Sequence, residues 1–319
     1  MSARAVAFGP PTSLVPSWTF DGQLRREAWP LDRGASGHDT EVVTAPRLHA
    51  ALVRTLTRLR LPDGGLPVSL GGASEVEPTA LAALALNDAA ARAWLAKRQR
   101  SDGGYEELDR RRDGPTTAAL VALVLHDPAA ARRALAYAIA RRGLPLPNAA
   151  DPERRDAWGW TGDARSLVEP TARVLLAVNA LTPRDTATRR EAVELLITRQ
   201  CADGGWNFGN ASVYDVDLRG YAQTTAMGLI ALQQGPAGVV ERAFGFLQSS
   251  WRLEPGGLTV AQGIVAHRLH GRGDEVPELL AGLDTIARRP SFPERPLAVA
   301  WATLATGPDA LLGPLRSRA

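Results

Sequence analysis

Two patterns of apolar residues alternate along the chain from about residue 46 onward. In the first, apolar side chains cover one face: Leu48, Leu52 and Leu56 recur at helical spacing while arginines occupy other faces. In the second, almost every face is apolar, as in TALAALAL from Thr79 and TTAALVALVL from Thr116. A helix of the first kind buries one side, and a helix of the second kind is buried all round. The alternation therefore predicts outer helices that alternate with inner ones.

The two patterns together predict about six helix pairs. The outer helices are expected near residues 47–61, 89–100, 129–142, 186–200, 238–251 and 276–288. The inner helices are expected near residues 79–87, 116–126, 171–181, 223–234, 259–270 and 296–306.

Short motifs repeat between the paired helices. Asp-Gly-Gly turns stand at residues 63–65, 102–104 and 203–205, and Glu-Pro-Thr-Ala opens the inner helices at residues 77–80 and 169–172. Such recurrence is typical of a repeat architecture. Six alternating pairs suit a closed double ring whose inner helices face a lumen. An open solenoid is the alternative, although it would show polar capping helices at its ends. We predict an all-α fold, an α/α toroid of about six inner and six outer helices.

The turn motifs resemble those of a known family. The stretch Gln200–Gly209, QCADGGWNFG, looks like the glutamine–tryptophan repeat of squalene and oxidosqualene cyclases, and Gln99–Tyr105 is a second copy. Residues 158–172 resemble bacterial prenyltransferase/squalene-oxidase repeat proteins of the single-domain type. The resemblance covers about residues 46–310 and implies the α/α toroid of terpenoid cyclases and protein prenyltransferases. It also implies that Gln99, Gln200, Tyr105 and Trp206 are structural and tie an outer helix to the next inner helix.

The repeat region sets the expected domain bounds, and the composition limits the classes of partner and the location. Residues 46–310 form one repeat domain, residues 1–45 an N-terminal extension that either covers one end of the ring as a lid or is disordered, and residues 311–319 a tail. The net charge is +3 and Lys97 is the single lysine, so we expect no nucleic-acid partner. The single cysteine, Cys201, favours a cytoplasmic location. No apolar run is long enough to span a membrane, whereas peripheral membrane contact stays open.

The resemblance to terpenoid cyclases suggests where an acid catalyst would lie. Class II cyclases use Asp-x-Asp-Asp at the start of an inner helix, and no intact copy occurs here. The nearest aligned match is Glu75-Val76-Glu77-Pro78, in which Glu77 would be the proton donor and Glu75 the neighbour that tunes it. Because Glu169 stands in the same Val-Glu-Pro-Thr-Ala context, capping of the helix start is the competing interpretation. Asp215–Leu218 begins similarly but lies out of register, in an expected surface loop.

Candidate ligand contacts are few. Trp301 is the clear aromatic residue of an inner helix, Tyr221 lies near the start of another, and together with Glu169 they are the substrate-binding candidates. His267 and His270 lack a carboxylate nearby in sequence, so we predict no metal site. No phosphate-binding loop occurs, and no cofactor is expected.

Two functions remain open at this point. A cyclase-like protein would handle an isoprenoid or another apolar ligand in the lumen and, if it is an enzyme, would perform cyclase or isomerase chemistry. The alternative is a non-catalytic toroid that acts as a lipid- or protein-binding scaffold. The sequence leaves the oligomeric state undetermined.

Overall fold

The computed structural model of the protein describes residues 45–105, 114–144, 157–162, 164–182 and 184–318. Its α-helices, numbered α1 to α12 in chain order, are Ala45–Arg58, Val76–Ala85, Ala89–Arg98, Pro115–Val124, Pro128–Ala140, Val168–Leu181, Thr186–Thr198, Ala222–Ala231, Ala237–Ser250, Gly257–Leu269, Val276–Ala287 and Pro296–Thr306. Two antiparallel hairpins accompany them, β1 (Leu66–Pro67) with β2 (Ser74–Glu75) and β3 (Ser212–Val213) with β4 (Val216–Asp217).

The even-numbered helices form the inner ring. Each packs against the next in the order α2, α4, α6, α8, α10 and α12, and α12 packs against α2 to close the circle. These helices are buried on nearly every face; all ten residues of α4 are buried. Apolar residues on every face are stabilised only when neighbours cover each of them. The prediction of an all-α fold is confirmed.

The odd-numbered helices pack around this ring, each against an inner helix. In α1 the buried residues are Leu48, Leu52 and Leu56, the stripe that the sequence pattern indicated. This stripe packs against α12, so the first helix of the ring touches the last inner one. The outer layer therefore removes from water the side of the inner helices that faces away from the lumen.

Each of the three Asp-Gly-Gly turns lies against the next outer helix, which is α3, α5 or α9. Gly204 has a φ of 90°, and a Cβ there would lie 2.7 Å from the carbonyl oxygen of Arg242 on α9. Gln200 Nε2 donates to the carbonyl oxygen of Val239, also on α9, at 2.9 Å. The expectation that these glutamines bind the next inner helix is wrong, because the turn lies against the first turns of the next outer helix. Gln99 repeats the contact with Ala130 on α5.

A buried threonine fixes the start of three inner helices. The hydroxyl groups of Thr79, Thr171 and Thr225 accept hydrogen bonds from the backbone N–H groups of Leu66, Trp158 and Trp206 at 2.9, 3.3 and 2.9 Å. All three threonines are fully buried. Each therefore satisfies a backbone donor of the preceding loop that water cannot reach. The threonine of the repeated Pro-Thr or Thr-Thr motif joins the loop to the inner helix.

The residues after α12 pack against the ring. Asp309–Leu315 form a 3-10 helix against α2, α4 and α6, and its Leu312 and Leu315 are fully buried. The backbone N–H of Arg318 donates to the carbonyl oxygen of Asn179 in α6. The segment that the sequence analysis gave as a tail, residues 311–319, thus includes Leu312 and Leu315, which are buried against the inner helices.

Two further expectations from the sequence concern the N-terminal extension and membrane-spanning helices. The N-terminal extension falls on residues 1–45, of which 1–44 lie outside the described residues. Among the described residues, none of the helices combines the length and the apolar character that crossing a membrane requires.

The threonine contact generates a stability prediction. Replacing Thr225→Val keeps the shape of the side chain but leaves the buried N–H of Trp206 without its acceptor. We expect a loss of about 1 to 3 kcal/mol in the free energy of unfolding, measured by urea denaturation. The control is Thr285→Val, at an exposed position whose hydroxyl bonds only its own helix, where the change should stay within about 0.5 kcal/mol. Equal effects at both positions would contradict the proposed role of Thr225.

Candidate functional site

The lumen of the ring is almost filled by side chains. The cavity that remains has a volume of about 20 Å³, which is room for roughly one water molecule. Its apolar wall consists of Leu81, Leu84, Leu120, Leu123, Leu176, Met227, Trp301 and Leu315. Pockets that hold small molecules usually measure about 300 to 1,000 Å³. As it stands, the lumen therefore has no room for an isoprenoid chain.

Charged side chains lie at one end of this cavity. Arg173 of α6 donates from Nη1 to Glu77 Oε1 of α2 at 2.6 Å and from Nη2 to Glu169 Oε1 at 2.8 Å. Helices α2 and α6 are not neighbours, since α4 lies between them. The guanidinium thus bridges two non-adjacent inner helices. We call the end of the ring at which these inner helices begin the mouth.

The bridge is largely shielded from solvent. The side chains of Arg173 and Glu169 are 13% and 8% exposed, and that of Glu77 is 28% exposed. Burial alone would lower the pKa of Arg173, but attraction to Glu77 and Glu169 outweighs it and raises the pKa above its ordinary value. The guanidinium also lies 5.2 Å from the ring centre of Trp160. One cation and two carboxylates leave the cluster with a formal charge of −1.

The structure brings together three of the five predicted site residues. Glu77 and Trp301 both line the lumen cavity, and Glu169 shares Arg173 with Glu77. Glu75 lies in β2, where its backbone pairs with that of Leu66. Tyr221 immediately precedes α8 and is 38% exposed, outside the cavity lining.

Neither sequence interpretation anticipated the contact that Glu77 makes. A capping carboxylate accepts from the free backbone amides of a helix start, whereas Glu77 and Glu169 accept from a guanidinium. A general acid must carry a proton that faces the substrate. In this structure Glu77 Oε1 accepts from Arg173. The geometry is that of a structural ion-pair cluster.

The histidines of α10 also have specific partners. His267 is buried, with Nδ1 2.7 Å from the carbonyl oxygen of Gly263 and Nε2 2.9 Å from Glu275 Oε2. His270 Nε2 lies 2.8 Å from the carbonyl oxygen of Leu229. Among the residues with described coordinates, no group of three or more histidine, cysteine or acidic side chains is placed to hold a metal ion.

An exposed apolar surface lies beside the mouth, on the segment that connects the last Asp-Gly-Gly turn to α8. Six of the twelve exposed large apolar side chains found in the described parts of the chain fall within residues 208–221. They are Phe208, Val213, Tyr214, Val216, Leu218 and Tyr221. We call these six residues the hairpin surface, because the hairpin of β3 and β4 carries three of them, Val213, Tyr214 and Val216.

The backbone holds the hairpin surface in a defined shape. Tyr214 and Asp215 have φ values of 51° and 60°, the left-handed conformation of a two-residue hairpin turn. This turn leaves Tyr214 95% exposed. At the base, the rings of Phe208 and Tyr221 lie 5.2 Å apart, and the carbonyl oxygen of Phe208 accepts from the N–H of Val168 at the start of α6.

Comparison with solved structures identifies proteins of the same fold. A variant of the type II terpene cyclase MstE from Scytonema, without ligand, superposes with a TM-score of 0.55 at 14% identity, covering 85% of this chain and 97% of that one. A reducing-end xylose-releasing exo-oligoxylanase gives a TM-score of 0.55 at 14% identity, with coverages of 86% and 94%. A protein from Actinoplanes gives 0.51 at 16% identity, with coverages of 83% and 99%.

These likenesses show the fold alone. The chain has the α/α toroid architecture of type II terpene cyclases, which the sequence resemblance implied. No family model and no curated protein matches the sequence. Because a cyclase and a xylanase share this architecture, the activity of this chain has to be argued from its own side chains.

Sequence analysis missed Arg173, although a signal for it exists. Arg173 is the one charged residue inside the otherwise apolar run from Thr171 to Leu181, and it follows Glu169 by four positions, where helical side chains meet. The contact with Glu77 could not be found this way, since 96 residues separate the two. That contact depends on the diameter of the closed ring.

The arginine bridge generates a second prediction. Replacing Arg173→Met leaves two carboxylates without their partner, and we expect a loss of about 3 to 5 kcal/mol in the free energy of unfolding at neutral pH. Adding Glu77→Gln and Glu169→Gln to Arg173→Met removes the uncompensated charge and should restore more than half of that loss. Guanidinium denaturation of the single and triple variants measures both. A single variant as stable as the wild type would contradict the structural role of Arg173.

Proposed function

We propose that this protein is a non-catalytic α/α toroid that serves as a binding scaffold for a protein partner. The observation that carries the proposal is the filled lumen, with a cavity of about 20 Å³. A cyclase-like protein needs space for its substrate and a proton donor that faces it. Here leucine, methionine and tryptophan side chains occupy that space, and the candidate donor Glu77 accepts from Arg173.

The hairpin surface supports the binding role. Large contiguous patches of exposed apolar residues are uncommon on monomeric proteins. Where such patches occur, they mark contact sites. Aromatic side chains such as Tyr214 are favoured at the centre of protein interfaces. The turn holds Tyr214 and its neighbours in place before binding, which reduces the entropy lost on association.

The charges of this segment favour a protein over a lipid surface. Residues 207–221 contain Asp215, Asp217 and Arg219, which sum to −1. Arg219 is moreover paired with Glu254 at 3.0 Å. Membrane surfaces rich in anionic lipids attract basic segments and repel acidic ones. A protein partner with a complementary apolar face and a basic rim fits the hairpin surface better than an anionic membrane does.

Handling of an isoprenoid is the second candidate, and one observation favours it. Glu77 and Arg173 are the charged residues in the lining of the lumen cavity, and Glu77 stands at the position that matches the proton donor of the class II cyclases that the sequence resembles. This function requires the Arg173 bridge to open and the leucines of the wall to move apart. The lumen would then widen around the bound isoprenoid, because the present packing leaves no space for one.

The two candidates differ in what the purified protein contains. We expect native mass spectrometry to give the mass of the bare chain, or a multiple of it, because the lumen holds nothing larger than water. An organic extract analysed by mass spectrometry should then contain no stoichiometric isoprenoid or lipid. Denatured protein from the same preparation supplies the reference mass. One isoprenoid per chain would overturn the scaffold proposal and place cyclase-like handling first.

The partner itself can be captured at the hairpin surface. A photo-crosslinking phenylalanine analogue in place of Tyr214 should form a specific adduct with one protein in the source cells. The same analogue in place of Arg54, exposed on α1, is the control position and should not form this adduct. The captured protein is then purified for an affinity measurement by calorimetry.

Calorimetry with matched variants decides whether the captured contact is functional. Val216→Asp should weaken binding at least about tenfold, because it places a charge at the centre of an apolar contact. Leu70→Asp, at a similarly exposed apolar residue outside the hairpin surface, should bind within about twofold of wild type. Equal affinities of the two variants, or adducts with lipid only, would contradict the proposed protein contact.

A further inference from the structure

A cleft of ligand size opens at the mouth, apart from the lumen and from the hairpin surface. It lies among the starts of α8, α10 and α12, the end of α11 and the loop that follows β1. Its volume is about 600 Å³, compared with about 20 Å³ for the lumen cavity. This volume is within the range of about 300 to 1,000 Å³ that is usual for small-molecule sites.

The floor of the cleft is apolar. Phe292, Leu258 and Leu297 contribute to its lining, and the Phe292 ring packs closely on the backbone of α10. A Cβ on Gly257 would lie 2.4 Å from that ring, so the glycine is what permits this packing. Phe292 is itself buried in this packing, and the half-buried Leu258 and Leu297 are the apolar side chains that a ligand body could contact.

Positive charge exceeds negative charge around the cleft. Arg289 and Arg295 line it together with Glu294, so that the formal sum is +1. Arg295 is exposed at the start of α12, where its flexible side chain can reach a bound ligand. A guanidinium recognises a carboxylate or another planar oxyanion through paired hydrogen bonds.

A buried amide lies one helical turn beneath the lining. Gln262 of α10 is 1% exposed, and its Oε1 has no hydrogen-bond partner in the described structure. Gln262 follows Leu258 and Thr259, which line the cleft, by four and three positions and so lies below them along the helix. Helical side chains tilt toward the N-terminus of their helix, so the Gln262 side chain leans toward the turn that contains Leu258 and Thr259. Burial of an unpaired acceptor lowers stability unless a donor reaches it.

We propose that this cleft binds a small organic acid. Its apolar body would lie against Leu258 and Leu297, its anionic group would bind Arg295, and a hydroxyl or N–H group would donate to Gln262 Oε1. The apolar floor selects the apolar body, the basic rim selects the anionic group, and the buried acceptor selects the donor group of this ligand class. The proposal is independent of the protein partner, because none of these residues belongs to the hairpin surface.

Two fluorescent probes test the site on the full chain. Anilinonaphthalene sulfonate has an aromatic body, an N–H group and an anionic group, and phenylnaphthylamine has the same body and N–H group without the charge. The anionic probe should bind at one saturable site and more tightly than the neutral probe. Binding that never saturates, or equal affinity for both probes, would overturn the proposal.

Substitution of Arg295 shows whether the anion binds where we propose. Arg295→Gln should weaken the anionic probe about fivefold and leave the neutral probe unchanged, because only one probe carries the charge that the guanidinium binds. Arg54→Gln, at an exposed arginine on α1, is the matched control and should change neither affinity. Unchanged affinity of Arg295→Gln for the anionic probe would overturn the proposed position of the anionic group.

Gln262 provides a readout that a merely structural residue would not give. Gln262→Met should raise the melting temperature of the ligand-free protein, because it removes an unpaired buried acceptor. It should also weaken both probes, since both carry the N–H group that donates to Oε1. A lower melting temperature together with unchanged probe affinities would show that Gln262 serves the fold alone, and would overturn its assignment to the cleft.

Discussion

The contact between Arg173 and two glutamates links helices that the chain itself keeps apart. Inner helices α2 and α6 are separated by α4, and the guanidinium bridges them at the end of the lumen cavity. Because a buried ion pair is costly to break, this bridge fixes the spacing of α2 and α6 at the mouth. The carboxylate of Glu77, which lies on the wall of the lumen cavity, is paired with the same guanidinium.

Much of the ring could be predicted from the sequence, because its elements are encoded locally. An inner helix is apolar all round and an outer helix carries a stripe, so the predicted α12 has the observed bounds and most other helices differ by one to three residues at each end. The glycines of the turns and the start motifs of the inner helices are equally local signals. These features depend on neighbours within about ten positions in the chain.

Contacts between residues that are far apart in the chain could not be predicted from these local patterns. Arg173 could be noticed as a charge in an apolar helix, but its partner Glu77 depends on how the helices close into a ring. Gln200 was expected to reach an inner helix, and only the packing of the outer layer shows why it binds Val239 instead. Leu312 and Leu315 stand in the segment PDALLGPL after α12, whose leucines are a signal for burial that the repeat pattern did not use.

The closure of the ring has a consequence for how the protein emerges during synthesis. Helix α12 packs against α1 and α2, and the residues that follow it pack against α2, α4 and α6. The earliest inner helices thus expose apolar flanks until residues 296–315 have left the ribosome. Contacts this distant along the chain form slowly, because a long loop must close before they are made. Until then the nascent chain is an incomplete arc, a state in which chaperones have an apolar surface to bind.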